Sequence, residues 1–323
     1  MLGKYYIEVK NKRISFMITV KRSVTIIRGF SGTGKSTFIN MLEAALDENV
    51  TGSSIQTNYD PKKIEVIRNE RQLHYIINSG ERDKILVADE NLNLSKYEFF
   101  IEFLKVSGSY LIYITRKNKT GLLQFSVDEI YRFESKTVDE YTAVSMYPQY
   151  KNVQTIIKPD AIVTEDSNSG HDIIEHIVNV PVRSGDGKDN VANTIEGLKH
   201  EGCDTIYAVV DCAAFGNCME KAVRSGAHIF RAESFEYMIL NTYVFGKYLD
   251  KELTETYDYA ESSMYYTWEQ YYTGLLQDLC KKYPNCTYKK ERWNALNNMF
   301  KSEKFLKEIS DQLTDLDNSV KEI

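Results

Sequence analysis

Gly29-Phe30-Ser31-Gly32-Thr33-Gly34-Lys35-Ser36 fits G-x-x-x-x-G-K-[ST] at every fixed position. The residues before it, Val24–Arg28, are rich in β-branched residues and read as a strand. The residues after it, Thr37–Leu46, carry apolar positions at helical spacing. A glycine-rich turn between a strand and a helix lets backbone N–H groups converge on phosphate oxygens at the electropositive end of the helix. In that setting Lys35 is expected to reach the β- and γ-phosphates, Ser36 to ligate magnesium and Thr37 to contact the α-phosphate. A nucleoside triphosphate is therefore expected on Gly29, Ser31, Gly32, Thr33, Gly34, Lys35, Ser36 and Thr37. The same pattern sets the fold class around it as α/β with a parallel sheet.

Working outward, Tyr5–Val9 and Ile14–Val20 read as extended segments ahead of the loop. Downstream, Ile64–Ile67, Lys84–Asp89 and Tyr110–Thr115 read as strands. Glu70–Asn78 and Leu94–Val106 read as helices, and Val127–Phe133 and Thr142–Met146 as closing strands. Ile85-Leu86-Val87-Ala88 is continuously apolar, as in a strand buried on both faces. Asp89 emerges at its carboxyl end, where ligands gather in open α/β sheets. Asp89 is expected to hold magnesium through water, and Glu90 to orient or activate the attacking water. The other reading of Glu90 is a solvated surface acid. Thr115 is a candidate γ-phosphate sensor and Arg116 a candidate phosphate contact; an ordinary polar strand end explains both equally well. No guanine-specifying N/T-K-x-D pattern is evident, so ATP is the default nucleotide.

Pro148–Pro159 is polar and bracketed by prolines, which marks a domain boundary. Strands at Ala161–Thr164, Val180–Arg183, Thr205–Val210 and His228–Arg231 then alternate with helices at Gly170–Val178, Val191–Glu201 and Asn217–Ser225. That alternation implies a second parallel sheet. Glu165 follows the first of these strands and Asp211 the third, so both acids are expected at one carboxyl edge. Clustered carboxylates raise one another's pKa unless a cation lies between them. Magnesium, or manganese as an alternative, is the expected ion on Glu165 and Asp211. The domains are expected at 1–150, 151–240 and, as a helical C-terminal region, 241–323. Tyr265, Trp268 and Tyr272 recur at helical spacing, which reads as a packed face rather than a base-stacking surface.

The 323 residues carry a formal charge of −6, which argues against broad coating of nucleic acid but not against a local basic groove. The five cysteines form no CxxC pair, so reduced thiols are expected rather than zinc. No apolar run approaches the roughly 20 residues of a membrane span, and the opening residues lack the apolar core of a signal peptide. A cytoplasmic protein without a membrane partner is expected.

On the loop and on Ile85–Glu90 the first half resembles P-loop ATPases, these being the Walker A and Walker B matches. Its antiparallel segments before the loop resemble the core of ABC-type and structural-maintenance-type ATPases. It departs from them in having no LSGGQ-like signature; only Asn78-Ser79-Gly80-Glu81 stands before the second motif. The strand–Glu, strand–Asp order over about residues 160–235 resembles the Toprim domain of topoisomerases, primases and OLD-family nucleases. Ser184-Gly185-Asp186-Gly187-Lys188-Asp189-Asn190 resembles the Gly-Lys-Asn loop of OLD-like nucleases. The resemblance implies that Glu165 does acid–base work and that Asp211 is the first Asp of a metal-binding D-x-D. The motif reads Asp211-Cys212-Ala213, so the second Asp is absent; Asp166, Asp172 and Asp186 are the substitutes considered. The resemblance implies a P-loop ATPase that gates a Toprim-like nuclease acting on DNA or RNA, in a phage-defence setting. The alternatives are a regulatory ATPase whose second domain binds protein or nucleic acid without cutting, and a small-molecule kinase, for which no lid is evident. A second copy of the chain or a partner protein remains open as a partner.

Overall fold

The computed structural model describes all residues except 31, 90, 93, 117–119, 152–155, 247–248, 283–285, 290, 292, 294–296, 314–315 and 317–323. The chain forms two compact units. The first comprises Met1–Lys151 with Glu255–Thr267, the second Asn152–Thr254 with Trp268–Ile323. Both are α/β.

The first unit holds a nine-stranded mixed sheet. Its strands are β1 (Tyr5–Lys10), β2 (Ile14–Val20), β3 (Val24–Arg28), β4 (Ser54–Thr57), β5 (Ile64–Ile67), β6 (Ile85–Ala88), β7 (Tyr110–Thr115), β8 (Ile130–Val138) and β9 (Tyr141–Pro148), in the order β4-β1-β2-β9-β8-β3-β7-β6-β5. Neighbours from β5 through β6, β7 and β3 to β8 run parallel. The pairs β8–β9, β1–β2 and β1–β4 are antiparallel. The helices are α1 (Lys35–Leu46), α2 (Glu70–Ser79) and α3 (Glu98–Ser107). Every residue of β3, β6 and β7 is buried, because helices cover both faces of the parallel part.

Side chains alternate between two cores. Ile27, Val87 and Ile112 face α1 with Phe16, Phe38 and Phe133. Ile26, Leu86 and Leu111 face α2 and α3 with Leu73, Ile76, Phe100 and Leu104. Phe16 is fully buried, its ring 5.6 Å from that of Phe38 and 5.4 Å from that of Phe133.

Three local departures from the sequence reading have local causes. The edge strand β4 was not expected, because Ser54-Ile55-Gln56-Thr57 is polar and nowhere fully buried. The expected helix Leu94–Val106 divides into a 3-10 turn at Leu94–Lys96 and α3, with non-helical backbone at Tyr97. Val127–Glu129 is a 3-10 turn capped by the Ser126 hydroxyl, so the strand begins at Ile130.

The expected C-terminal region 241–323 is not one body. Glu255–Thr267 belongs to the first unit, where Gly3 N–H donates to the Tyr257 carbonyl at 2.6 Å and the Ser262 hydroxyl to the Gly108 carbonyl at 2.7 Å. Tyr266 lies buried in the core under α2 and α3.

The second unit has four parallel strands: β10 (Ala161–Thr164), β11 (Val182–Ser184), β12 (Ile206–Asp211) and β13 (His228–Ala232), ordered β11-β10-β12-β13. Around them are α4 (Ser169–Ile177), α5 (Val191–His200), α6 (Met219–Arg224), α7 (Phe235–Leu240), α8 (Asp250–Thr254), α9 (Trp268–Cys280) and α10 (Glu303–Gln312). The central strands β10 and β12 are buried almost throughout, while β11 and β13 are only partly buried at the edges. Tyr272 of α9 is fully buried and meets Tyr237 edge-on at 5.1 Å, so it packs rather than offering a base-stacking face.

Truncating Phe16 empties the centre of the three-ring cluster. Phe16→Ala is expected to lower the unfolding free energy of the first unit by about 3–5 kcal/mol. The measurement is the first unit's transition in urea denaturation followed by circular dichroism. A shift below about 1 kcal/mol would mean the cluster does not hold the unit together.

Candidate functional site

The glycine-rich loop leaves β3 at Gly29 and enters α1 at Lys35. Gly32 and Gly34 have φ of 84° and 85°, a region that side chains disfavour. At Gly34 a Cβ would also stand 3.2 Å from the Phe16 ring, and at Gly29 it would stand 2.7 Å from the Thr33 hydroxyl. The glycines thus let the chain turn tightly against its own core. Lys35 is buried and its Nζ donates to the Gly29 carbonyl, to the Phe30 carbonyl at 2.6 Å and to Thr33 Oγ1 at 3.0 Å. The ammonium is held over the turn by oxygen acceptors that phosphate oxygens can replace. Ser36 and Thr37 are exposed on the first turn of α1. Ser31 lies outside the described residues.

Parallel pairing sets the second half of this site. Arg28 is paired with Thr115, and Ala88 with Tyr113. Gly29 and Asp89 therefore leave the sheet at the same edge, with the end of β7 between them. Asp89 is 7% exposed and its Oδ1 accepts the Asn91 N–H at 3.2 Å. Thr115 is buried on the same edge and Arg116 is exposed. Glu90 lies outside the described residues.

Arg68, which the sequence reading did not single out, joins this edge to α1. Its Nε and Nη2 donate to the two Glu43 carboxylate oxygens at 2.7 and 2.6 Å, and Nη2 also donates to Asn40 Oδ1 at 2.6 Å. Its Nη1 stands 3.7 Å from Asp89 Oδ2. In sequence Arg68 is an ordinary polar residue after a short strand; only the placement of β5 next to β6 brings it beside Asp89.

In the second unit the sheet brings Glu165 and Asp211 together. Glu165 Oε2 accepts the Asp211 backbone N–H at 3.0 Å, and Asp211 Oδ1 accepts the Phe235 N–H at 2.8 Å. Two further carboxylates join Asp211, from Glu236 on α7 and Glu269 on α9. One oxygen from each of the three lies within 4.8 Å of the others. Two oxygens on one magnesium are separated by at most about 4.2 Å, so this donor set fits a hard divalent cation after small movements. Glu236 is fully buried, and the Tyr288 hydroxyl donates to its Oε1 at 2.9 Å.

Asp166, Asp172 and Asp186 do not join this three-carboxylate cluster, although the Asp166 charge reaches Glu165. Asp186 Oδ1 takes the Ser184 hydroxyl at 3.0 Å, Asp172 Oδ2 takes the Trp293 N–H at 2.5 Å, and Asp166 Oδ1 faces the Asn168 N–H. Ala213 itself is buried. The one signal for Glu236 in the sequence was its place in the first turn after Ser234, which caps α7 by accepting the Tyr237 N–H at 3.1 Å. Glu269 gave none, being distant in the chain.

Burial pushes the Glu165 carboxyl up to about 7; the Asp211 N–H opposes this, the Glu269 charge adds to it and Lys188 opposes it. Lys188 also donates to the Ala214 carbonyl at 3.2 Å. An acid with a raised folded pKa favours the folded state fully below its unfolded value. That contribution falls as pH rises and is lost once the folded pKa is passed. For Glu165 the window runs from 4.5 to about 7. Glu165→Gln in metal-free buffer is therefore expected to match the parent's melting temperature near about pH 4 and exceed it near about pH 8. Differential scanning fluorimetry reads the difference; equal melting temperatures at both pH values would remove the claim of a penalised carboxylate.

No protein-family model, curated protein or solved structure matches this chain at a significant level.

Proposed function

We propose that the protein is an ATP-hydrolysing switch whose nucleotide state gates a Toprim-like, metal-dependent unit that processes nucleic acid. One observation carries the reading. The strand–loop–helix at Val24–Leu46, with Lys35 poised over the turn, shares its sheet edge with the buried carboxylate of Asp89. Backbone N–H groups of the loop and Lys35 hold the β- and γ-phosphates in this reading. Ser36 and Asp89 are the residues that would hold magnesium, and the ion would offset phosphate charge as the terminal phosphoryl group transfers. Glu90 takes the proton of the water that attacks the γ-phosphorus, while the bond to the β–γ bridging oxygen breaks and ADP leaves with that electron pair.

In the second unit, Asp211, Glu236 and Glu269 are the residues that would hold the metal, and Glu165 is the acid–base group. Its carboxyl, pushed up to about 7, exchanges a proton readily near neutral pH. Lys188, whose charge acts on Glu165, would pair with a phosphate in this reading. Phage defence as the setting rests on the resemblance to OLD-family proteins alone. The second reading is a regulatory ATPase whose second unit binds protein or nucleic acid without cutting. The buried Ala213 at the second D-x-D position favours it.

Lys35→Ala is expected to lower phosphate release from ATP by about a hundredfold or more; unchanged turnover would refute the nucleotide site. Asp211→Asn and Glu165→Gln are expected to abolish cleavage of DNA or RNA with magnesium or manganese while ATP turnover persists. Glu236→Gln and Glu269→Gln are expected to raise the metal concentration needed for cleavage by about tenfold or more. Failure to cut single- and double-stranded DNA and RNA under every metal and nucleotide condition would leave the binding reading in its place.

A further inference from the structure

The inference concerns what lies beside the phosphate loop and rests on the nucleotide reading above. A cavity of about 540 Å³ opens against the loop. Gly32, Thr33, Gly34, Ser36 and Thr37 form one side. The opposite wall is the outer part of one sheet face: Ile14 of β2, Phe133 and Ser135 of β8, and Thr142 and Val144 of β9. Ligand pockets for small molecules commonly span about 300–1,000 Å³, so a nucleoside fits.

Strand register explains why this wall is open. Ile14 pairs with Thr142 and Phe16 with Val144, while Val144 pairs with Ser135 and Thr142 with Thr137. Side chains two residues apart share a face, so Ile14 and Phe16 lie on one face with Val144, Thr142 and Phe133. The inner part of that face, at Phe16 and Phe133, is covered by Phe38 of α1. The helix begins only at Lys35. Beyond that point no helix of the first unit's described residues lies over the face, and there it meets the loop.

We infer that the sugar and base of the bound nucleotide lie in this cavity, against Ile14 and Val144, and that the wall does not distinguish one purine from the other. The described residues lining it carry no charge. Its polar groups besides the loop and first turn of α1 are the hydroxyls of Ser135 and Thr142, and the Thr142 hydroxyl already bonds that of Thr137 at 3.0 Å. Selecting guanine takes an acceptor such as a carboxylate for its ring N–H and amino group, and rejecting an analogue strongly takes buried polar groups that it leaves unpaired. This wall offers apolar contact to any flat base. The site therefore selects for the triphosphate and accepts ATP and GTP alike, in place of the adenine default.

The test uses the full chain with magnesium and titration calorimetry, with ATP, GTP and inorganic tripolyphosphate as probes. ATP and GTP are expected to bind within about threefold of each other. Thr142→Trp and Ser135→Trp, which fill the cavity from two strands, are expected to weaken both nucleotides by about tenfold or more and to leave tripolyphosphate within about twofold. Ser135 is exposed, so its variant keeps the test open if Thr142→Trp does not fold. Unchanged ATP affinity in the folded wall variants, or a preference above about tenfold for one purine, would overturn the inference while leaving the phosphate loop intact. Equal loss of tripolyphosphate and ATP in the wall variants would also overturn it. Binding of none of the three probes to the unmodified chain, or no effect of Lys35→Ala, would bring down the nucleotide reading and this inference together.

Discussion

Parallel strand pairing is the constraint on which both candidate sites depend. A parallel ladder sends each strand's carboxyl end to the same edge, so residues that follow different strands become neighbours. In the first unit the ladder from β5 to β8 delivers Arg68, Asp89, Thr115 and Gly29 to one edge. In the second, the pairing of β10 with β12 delivers Glu165 to the backbone of Asp211. Reversing any one of these strands would carry the residue that follows it to the far edge of the sheet.

Packing then decides what each edge can hold. Phe16, Phe38 and Phe133 seat α1 on the sheet, and the same Phe16 ring would stand 3.2 Å from a Cβ at position 34, where φ is already positive. Core and loop are thus one structure. In the second unit, Asp211 gains Glu236 and Glu269 because α7 and α9 close over the carboxyl edge. Carboxylates this near one another repel unless a cation or protons intervene. Glu165 beside them holds its proton more tightly chiefly because it is buried, with the Glu269 charge adding to this, and the other three supply oxygen donors suited to a hard cation.

The regular elements were largely legible because their causes are local. Ile85–Ala88 is a continuous apolar run, and Val24–Arg28 and Tyr110–Thr115 are rich in β-branched and aromatic residues, as in strands buried on both faces. The elements missed were those without an apolar signal, as at β4, or those set by a hydroxyl cap, as at Ser126. The aromatic run from Tyr257 to Tyr272 gave no hint of being shared between two units. It divides at Thr267 and Trp268, with Tyr266 in the core of the first unit and Tyr272 against Tyr237 in the second.

By itself the sequence determined the loop at Gly29–Ser36, the acid at Asp89 and the acids at Glu165 and Asp211. Each of these is a short pattern joined to one strand end, and chain neighbours carry the whole signal. Only the tertiary structure decided that Arg68 stands beside Asp89, that Glu236 and Glu269 gather on Asp211, and that an apolar wall continues past the start of α1. Those arrangements join residues far apart in the chain. They follow from strand order, register and helix packing, which no local pattern encodes.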